Sequence, residues 1–156
     1  MRVLFMCTAN SCRSILCEAL FNHLAPPGFE AVSSGSFPKG QVLPRSLTTL
    51  QHANISTKGL TSKGNDAFED NPPDIVITVC DKAAGEACPV YFGPALKAHW
   101  GLEDPSDLKG DEASVDAAFR ATLARIEYRC QAFFALPFGT LDREQLKHEL
   151  DRIGTL

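Results

Sequence analysis

Five residues separate Cys7 from Arg13 in Cys7-Thr8-Ala9-Asn10-Ser11-Cys12-Arg13-Ser14, which directly follows the apolar run Val3-Leu4-Phe5-Met6. A thiol attacks only as thiolate, and a free cysteine is mostly protonated at neutral pH. A helix starting near Arg13 would turn its unpaired amides and the positive end of its dipole back toward Cys7, easing ionisation and attracting anions. The amides of Thr8, Ala9, Asn10, Ser11, Cys12, Arg13 and Ser14 then form a nest for oxyanion oxygens. Arg13 adds a planar fork for two of those oxygens. The hydroxyls of Thr8 and Ser14 are placed to hydrogen-bond the thiolate. Asn10 suits the left-handed backbone of a tight loop. The chemistry this implies is nucleophilic attack by sulfur on a bound tetrahedral oxyanion. The bare Cys–Arg spacing is common by chance; its position between an apolar strand and a helical pattern gives it weight.

Two further features join that loop. Cys80 and Cys88 flank Asp81-Lys82-Ala83-Ala84-Gly85-Glu86-Ala87, a polar segment rich in small residues. A disulfide needs Cα atoms within about 7 Å, so a segment that changes shape permits Cys80 to meet Cys7 in one state and Cys88 in another. Asp104-Pro105 closes a loop after His99-Trp100-Gly101-Leu102-Glu103. A carboxylic acid there can protonate a leaving oxygen, although Asp-Pro is also a common turn pair, and Glu103 and Asp107 compete for the role. Cys17 and Cys130 lie in helical patterns and read as small core hydrophobes. Cys12 is assigned no chemical step.

The elements that must position these groups follow from pattern. The 156 residues, 44% hydrophobic and 22% charged, suit one globular domain. A net charge of −4 and a pI near 5.5 favour neither nucleic acid nor an anionic membrane. No apolar run approaches the ~20 residues of a spanning helix, and the N-terminus lacks a signal peptide's layout, so a cytoplasmic protein is expected. Six cysteines without Cys-x-x-Cys or His-x-x-x-His spacing point to catalytic or redox thiols rather than a metal site. Strands are expected at 2–6, 29–32, 74–79 and 95–99. Helices are expected at 13–24, 45–53 and 111–136, with turns and a short helix in 58–71. That alternation predicts an α/β fold with a central, mostly parallel, four-stranded sheet flanked by helices. In such sheets active sites lie beyond the carboxyl ends of the strands, where Cys7 and Cys80 both fall. Residues 1–136 form the expected domain. Residues 137–156 read as a C-terminal extension with a short helix carrying Leu146, Leu150 and Ile153.

Taken together, the Cys7–Ser14 loop, Thr78-Val79-Cys80, Cys88-Pro89 and His99-Trp100-Gly101-Leu102-Glu103-Asp104-Pro105 resemble an arsenate reductase of the thioredoxin-coupled type, built on the low-molecular-weight tyrosine phosphatase fold. The resemblance covers about residues 1–135. The loop alone is shared with the phosphatases. The resemblance implies that Cys7 attacks arsenate held by the loop and Arg13, with phosphate or sulfate as analogues, and that Asp104 protonates the departing oxygen. It further implies that Cys80 attacks the Cys7 adduct, that Cys88 moves the disulfide outward to Cys80–Cys88, and that an external thiol donor restores the enzyme. Ala9 stands where many members carry glycine. Relatives can hold potassium beside the loop, and Asn10, Glu18 and Ser33 match oxygen ligands of that site. Lys63, however, falls where a carboxylate ligand would lie, and its ammonium can replace the ion, so no bound cation or other cofactor is expected. Seven residues separate Cys80 from Cys88, one more than in relatives, which leaves the donor open between thioredoxin and glutaredoxin with glutathione. The competing reading is a low-molecular-weight protein tyrosine phosphatase, which needs Cys7, Arg13 and Asp104 but neither Cys80 nor Cys88. A non-catalytic oxyanion sensor would keep the cysteines and dispense with the acid.

Overall fold

The structure, a computed structural model, describes residues 1–85 and 92–156. Cys88 lies outside the described residues.

Four parallel strands form the sheet: β1 (Arg2–Cys7), β2 (Glu30–Gly35), β3 (Ile75–Thr78) and β4 (Leu96–His99), in the order β2-β1-β3-β4. Val3, Leu4, Phe5 and Met6 are all buried, as a central strand covered on both faces requires. From β1 the chain moves to one side for β2 and later to the other side for β3. The order therefore reverses at β1, and the crevice at its carboxyl end is where such sheets bind ligands. Cys7 occupies that end.

β2 runs further than its sequence suggests. Ser33-Ser34-Gly35 looks like a closing turn, yet these residues continue the strand, paired with Phe5, Met6 and Cys7. Their small side chains let β2 reach alongside the loop that follows β1.

The helices are α1 (Arg13–Leu24), α2 (Pro44–His52), the single turn α3 (Asp81–Ala84), α4 (Glu112–Phe134) and α5 (Arg143–Ile153), with short 3₁₀ turns at Asn65–Phe68 and Pro105–Asp107. The α4 stripe buries Phe119, Leu123, Ile126, Cys130 and Phe133. Phe5 lies 5.8 Å from Phe21 and 5.9 Å from Trp100 between ring centroids, tying β1 to α1 and to the exit of β4. α5 starts with a reciprocal Asp142–Gln145 capping box and buries Leu146, Leu150 and Ile153 in the same core. Among the described residues, no helix is long and apolar enough to cross a membrane.

Candidate active site

The loop from Cys7 to Arg13 is pulled open by bonds to its outer side. The carbonyl of Thr8 accepts from Phe37 N–H at 2.9 Å, that of Ala9 from Lys39 N–H at 3.0 Å, and that of Ser11 from Leu43 N–H at 3.0 Å. Hydroxyls of Ser62 and Ser46 add bonds to Ala9 and Ser11. In a planar trans peptide the next N–H points opposite to the carbonyl. Fixing these carbonyls outward therefore turns the amides of Ala9, Asn10 and Cys12 inward, toward a common centre. The Cys12 carbonyl already accepts from Leu16 N–H at 2.9 Å, so α1 begins with its free amides at that same centre.

Asn10 braces the loop from beneath. It is fully buried, with φ at 47°, a backbone that short polar side chains tolerate. Its Nδ2 donates to Ser14 Oγ at 2.8 Å and Ser33 Oγ at 3.0 Å, while its Oδ1 accepts from Lys63 N–H at 2.9 Å. Ser33 Oγ donates in turn to Glu18 at 2.7 Å, and the Lys63 ammonium stands 3.7 Å from the same carboxylate. Burial raises Glu18 and lowers Lys63, while each opposes that shift in the other.

Arg13 reaches the rim. Its Nη1 donates to the Leu102 carbonyl at 3.0 Å, and its Nη2 lies 3.5 Å from Asp104 Oδ2. Its Nε is buried and has no hydrogen-bond partner among the described residues, a costly state unless an oxyanion oxygen accepts from it. The other Asp104 oxygen accepts from Ser106 N–H at 3.0 Å and Ser106 Oγ at 2.6 Å. One face of the carboxyl is thereby anchored, and the other is left toward Arg13.

The two described site cysteines touch. Cys7 donates its S–H to Cys80, which also accepts from the Thr8 hydroxyl at 3.6 Å and Ala83 N–H at 3.4 Å. The Cys7 hydrogen bond, opposed by burial and helped by the Thr8 and Ala83 donors, pulls the Cys80 thiol down to about 5. Cys7 is pushed up by that same bond, by burial and by the Cys80 charge, against the pull of Arg13 and the Thr8 amide. The Cys7 thiolate expected from the sequence therefore has a second thiol beside it, and two adjacent sulfurs do not both ionise. The directions of the two shifts favour the charge on Cys80. The Thr8 hydroxyl lies against Cys80. Burial pushes Cys12 up to about 11 and Cys130 up to about 12, and raises Cys17 well above its ordinary value.

Of the residues singled out from sequence, the structure gathers Cys7, the Thr8–Ser14 loop, Arg13, Cys80 and Asp104 at one end of the sheet. Sequence reasoning missed four partners. A Cβ on Gly35 would stand 2.5 Å from the Thr8 carbonyl oxygen and 2.9 Å from Asn10 N, so only glycine lets β2 approach the loop. Ser46 and Ser62 hold loop carbonyls, and the Leu102 carbonyl seats Arg13. The main-chain contacts carry no side-chain signal. His99 links Thr78 Oγ1 at 2.8 Å to Asp81 at 3.1 Å, beside Cys80.

Comparison with known proteins places this geometry. The family described as low molecular weight phosphotyrosine protein phosphatase matches residues 2–151. An arsenate reductase of Bacillus subtilis (strain 168) is 29% identical over 131 residues, covering 84% of this chain and 93% of that protein. A solved arsenate reductase in its phosphate-binding state superposes with a TM-score of 0.70 at 26% identity, covering 86% of this chain and 96% of the other. The thioredoxin-dependent arsenate reductase of Corynebacterium glutamicum superposes with a TM-score of 0.58 at 28% identity, covering 80% of this chain and 57% of that one.

Proposed function

The chain belongs to the low molecular weight phosphotyrosine protein phosphatase family, and on that premise we propose that it is an enzyme that reduces arsenate to arsenite. The observation that carries this is the contact between the Cys7 and Cys80 sulfurs beneath the oxyanion loop. A hydrolase that makes and breaks a phosphocysteine has no use for a second thiol there.

The loop amides and Arg13 hold the arsenate oxygens. Cys7 attacks arsenic and passes its proton along the existing contact to Cys80. Asp104 protonates the oxygen that leaves as water, and arsenic remains pentavalent in a Cys7–arsenic adduct. Cys80 then attacks the Cys7 sulfur and gives its proton to an arsenic oxygen. The sulfur–arsenic bond breaks with its electron pair left on arsenic, so arsenite departs and a Cys7–Cys80 disulfide remains. Cys88, outside the described residues, attacks Cys80 and frees Cys7. A thioredoxin, or glutaredoxin with glutathione, reduces the resulting Cys80–Cys88 disulfide. Two thiols supply the two electrons that arsenic(V) accepts.

No cofactor enters this scheme. The donor set does not fit a bound potassium ion. Asn10 Oδ1 is engaged by Lys63 N–H, Ser33 donates to Glu18, and the Lys63 ammonium supplies the positive charge. A chain that depends on thiol donors works in a reducing cytoplasm. The shared loop gives weak phosphatase activity as a side reaction, since phosphate and arsenate are nearly isosteric.

The test is arsenate-dependent NADPH consumption, run separately with thioredoxin and glutaredoxin systems, with peptide mapping of the thiols. Arsenite formation with one system is expected, and Cys88→Ser is expected to trap Cys7–Cys80 after one turnover. Thiols that stay free after arsenate treatment of the wild type would overturn the scheme.

A further inference from the structure

Arg129 on α4 is 3% exposed. Among the described residues it makes four hydrogen bonds, to oxygens of Gly101, Gly154 and Leu156. Nη1 donates to Gly101 at 3.1 Å, Nη2 to Gly154 at 3.2 Å and Leu156 at 3.1 Å, and Nε to Leu156 at 3.2 Å. Burying a guanidinium is costly unless its donors are satisfied. The negative end of the α5 dipole, which Gly154 caps, offsets part of that cost. What the arrangement achieves is a junction between the α5 terminus and the chain leaving β4.

That junction sits one peptide away from the oxyanion site. The Gly101 carbonyl and the Leu102 N–H belong to a single peptide plane. Arg129 holds its oxygen, and the Val79 carbonyl accepts its N–H at 3.0 Å, beside Cys80. The next carbonyl, that of Leu102, seats Arg13 at 3.0 Å, and Asp104 follows two residues later. The α5 side is fitted just as closely. Trp100 Nε1 donates to the Leu150 carbonyl at 3.0 Å. A Cβ on Gly154 would collide with the His99 carbonyl oxygen and stand 3.0 Å from the Trp100 ring.

We propose that Arg129 is a positioning residue for oxyanion binding: by clasping the turn at 154–156 onto Gly101, it sets the Leu102 carbonyl that aims Arg13 and the loop that carries Asp104. This rests on the reading of Arg13 as an oxyanion ligand, and it assigns to α5 a part in the site on the far side of β4.

The experiment measures inorganic phosphate binding by calorimetry, at a temperature where circular dichroism shows each variant folded. Arg129→Met is expected to weaken binding about tenfold. In an Arg13→Ala background the same change is expected to have almost no further effect, because its influence passes through Arg13. Gly154→Ala, which disturbs the same junction from the α5 side, should repeat both results. Should Arg129→Met not fold, Arg129→Lys keeps the charge while losing the fork, and an intermediate loss is expected. A folded Arg129 variant with wild-type phosphate affinity overturns the proposal, as does a full, independent loss in the Arg13→Ala background. A purely structural role would lower the melting temperature and leave that coupling absent. Wild-type protein that binds no phosphate would instead overturn the reading of the loop itself, and the clasp with it.

Discussion

The loop after β1 and the segment after β3 lie side by side at the same edge of the sheet, but they are held in opposite ways. Three carbonyls of the first loop, those of Thr8, Ala9 and Ser11, are bound from outside, and Asn10 ties it to Ser14, Ser33 and Lys63 from within. Beyond β3, Cys80 opens a single helical turn and is held through its sulfur, while Asp81 stands fully in solvent against His99. A loop that must recognise a tetrahedral anion gains from amides already aimed at it, since nothing then reorganises during attack. A sulfur that must leave one partner and bond another gains from few, weak tethers. In the proposed scheme, binding falls to one strand end and sulfur exchange to its neighbour.

The sharpest way to break that comparison is to delete one sulfur at a time. Cys7→Ser is expected to abolish both arsenite formation and hydrolysis of an aryl phosphate. Cys80→Ser should abolish arsenite formation and spare the phosphatase activity. Without Cys80 the hydrogen bond and charge that raise Cys7 are gone; burial still opposes its thiolate, while Arg13 and the Thr8 amide favour it. Loss of both activities in Cys80→Ser would mean that the two strand ends do not divide the work.

Next in size is Asp104→Asn, which removes the proton donor while keeping an oxygen to accept from Ser106. A loss of about 10²–10⁴-fold in turnover is expected, at little change in phosphate affinity. Gly35→Ala follows. Its Cβ would press on the Thr8 carbonyl oxygen, 2.5 Å away, and push the loop off its centre. Displacement on that scale costs about 10²-fold in kcat/KM. Equal turnover of Gly35→Ala and wild type would show that the loop is not held as rigidly as its bonds suggest.

Those residues also mark what was legible in the sequence. The Cys7–Arg13 loop could be read because its signal is local: an apolar strand, a thiol, a short polar turn and a helical pattern, all within about twenty residues. The parallel sheet was legible from the β-branched run Ile75-Val76-Ile77-Thr78-Val79 and the alternation around it. Gly35 was not, because the clash that demands glycine comes from Thr8 and Asn10, which are distant in sequence. Arg13's seat on Leu102 was hidden for the same reason, since a carbonyl oxygen is common to every residue type. The location of the charge on Cys80 was hidden too. It depends on a distance between two sulfurs that only the β1–β3 register establishes.

The smallest expected effect tests the charge itself. One thiolate should appear in the ultraviolet absorbance of wild type as pH rises through about 5, and it should vanish below that value. Thr8→Val removes the hydroxyl that donates to Cys80 and keeps the side-chain volume. A hydrogen bond to a charged acceptor contributes about 1.5 kcal/mol, which raises the thiolate midpoint by about one pH unit. The sign then decides where to look. At pH 7 a midpoint of about 6 still leaves the pair mostly ionised, so arsenate turnover should hardly change. Near pH 5.5, wild type remains largely ionised while the variant does not, and turnover should drop severalfold. A Thr8→Val enzyme that loses most of its activity at pH 7, with its thiolate midpoint unmoved, would place the hydroxyl on the oxyanion rather than on Cys80. The division between a rigid binding loop and a lightly held second sulfur would then have to be drawn elsewhere.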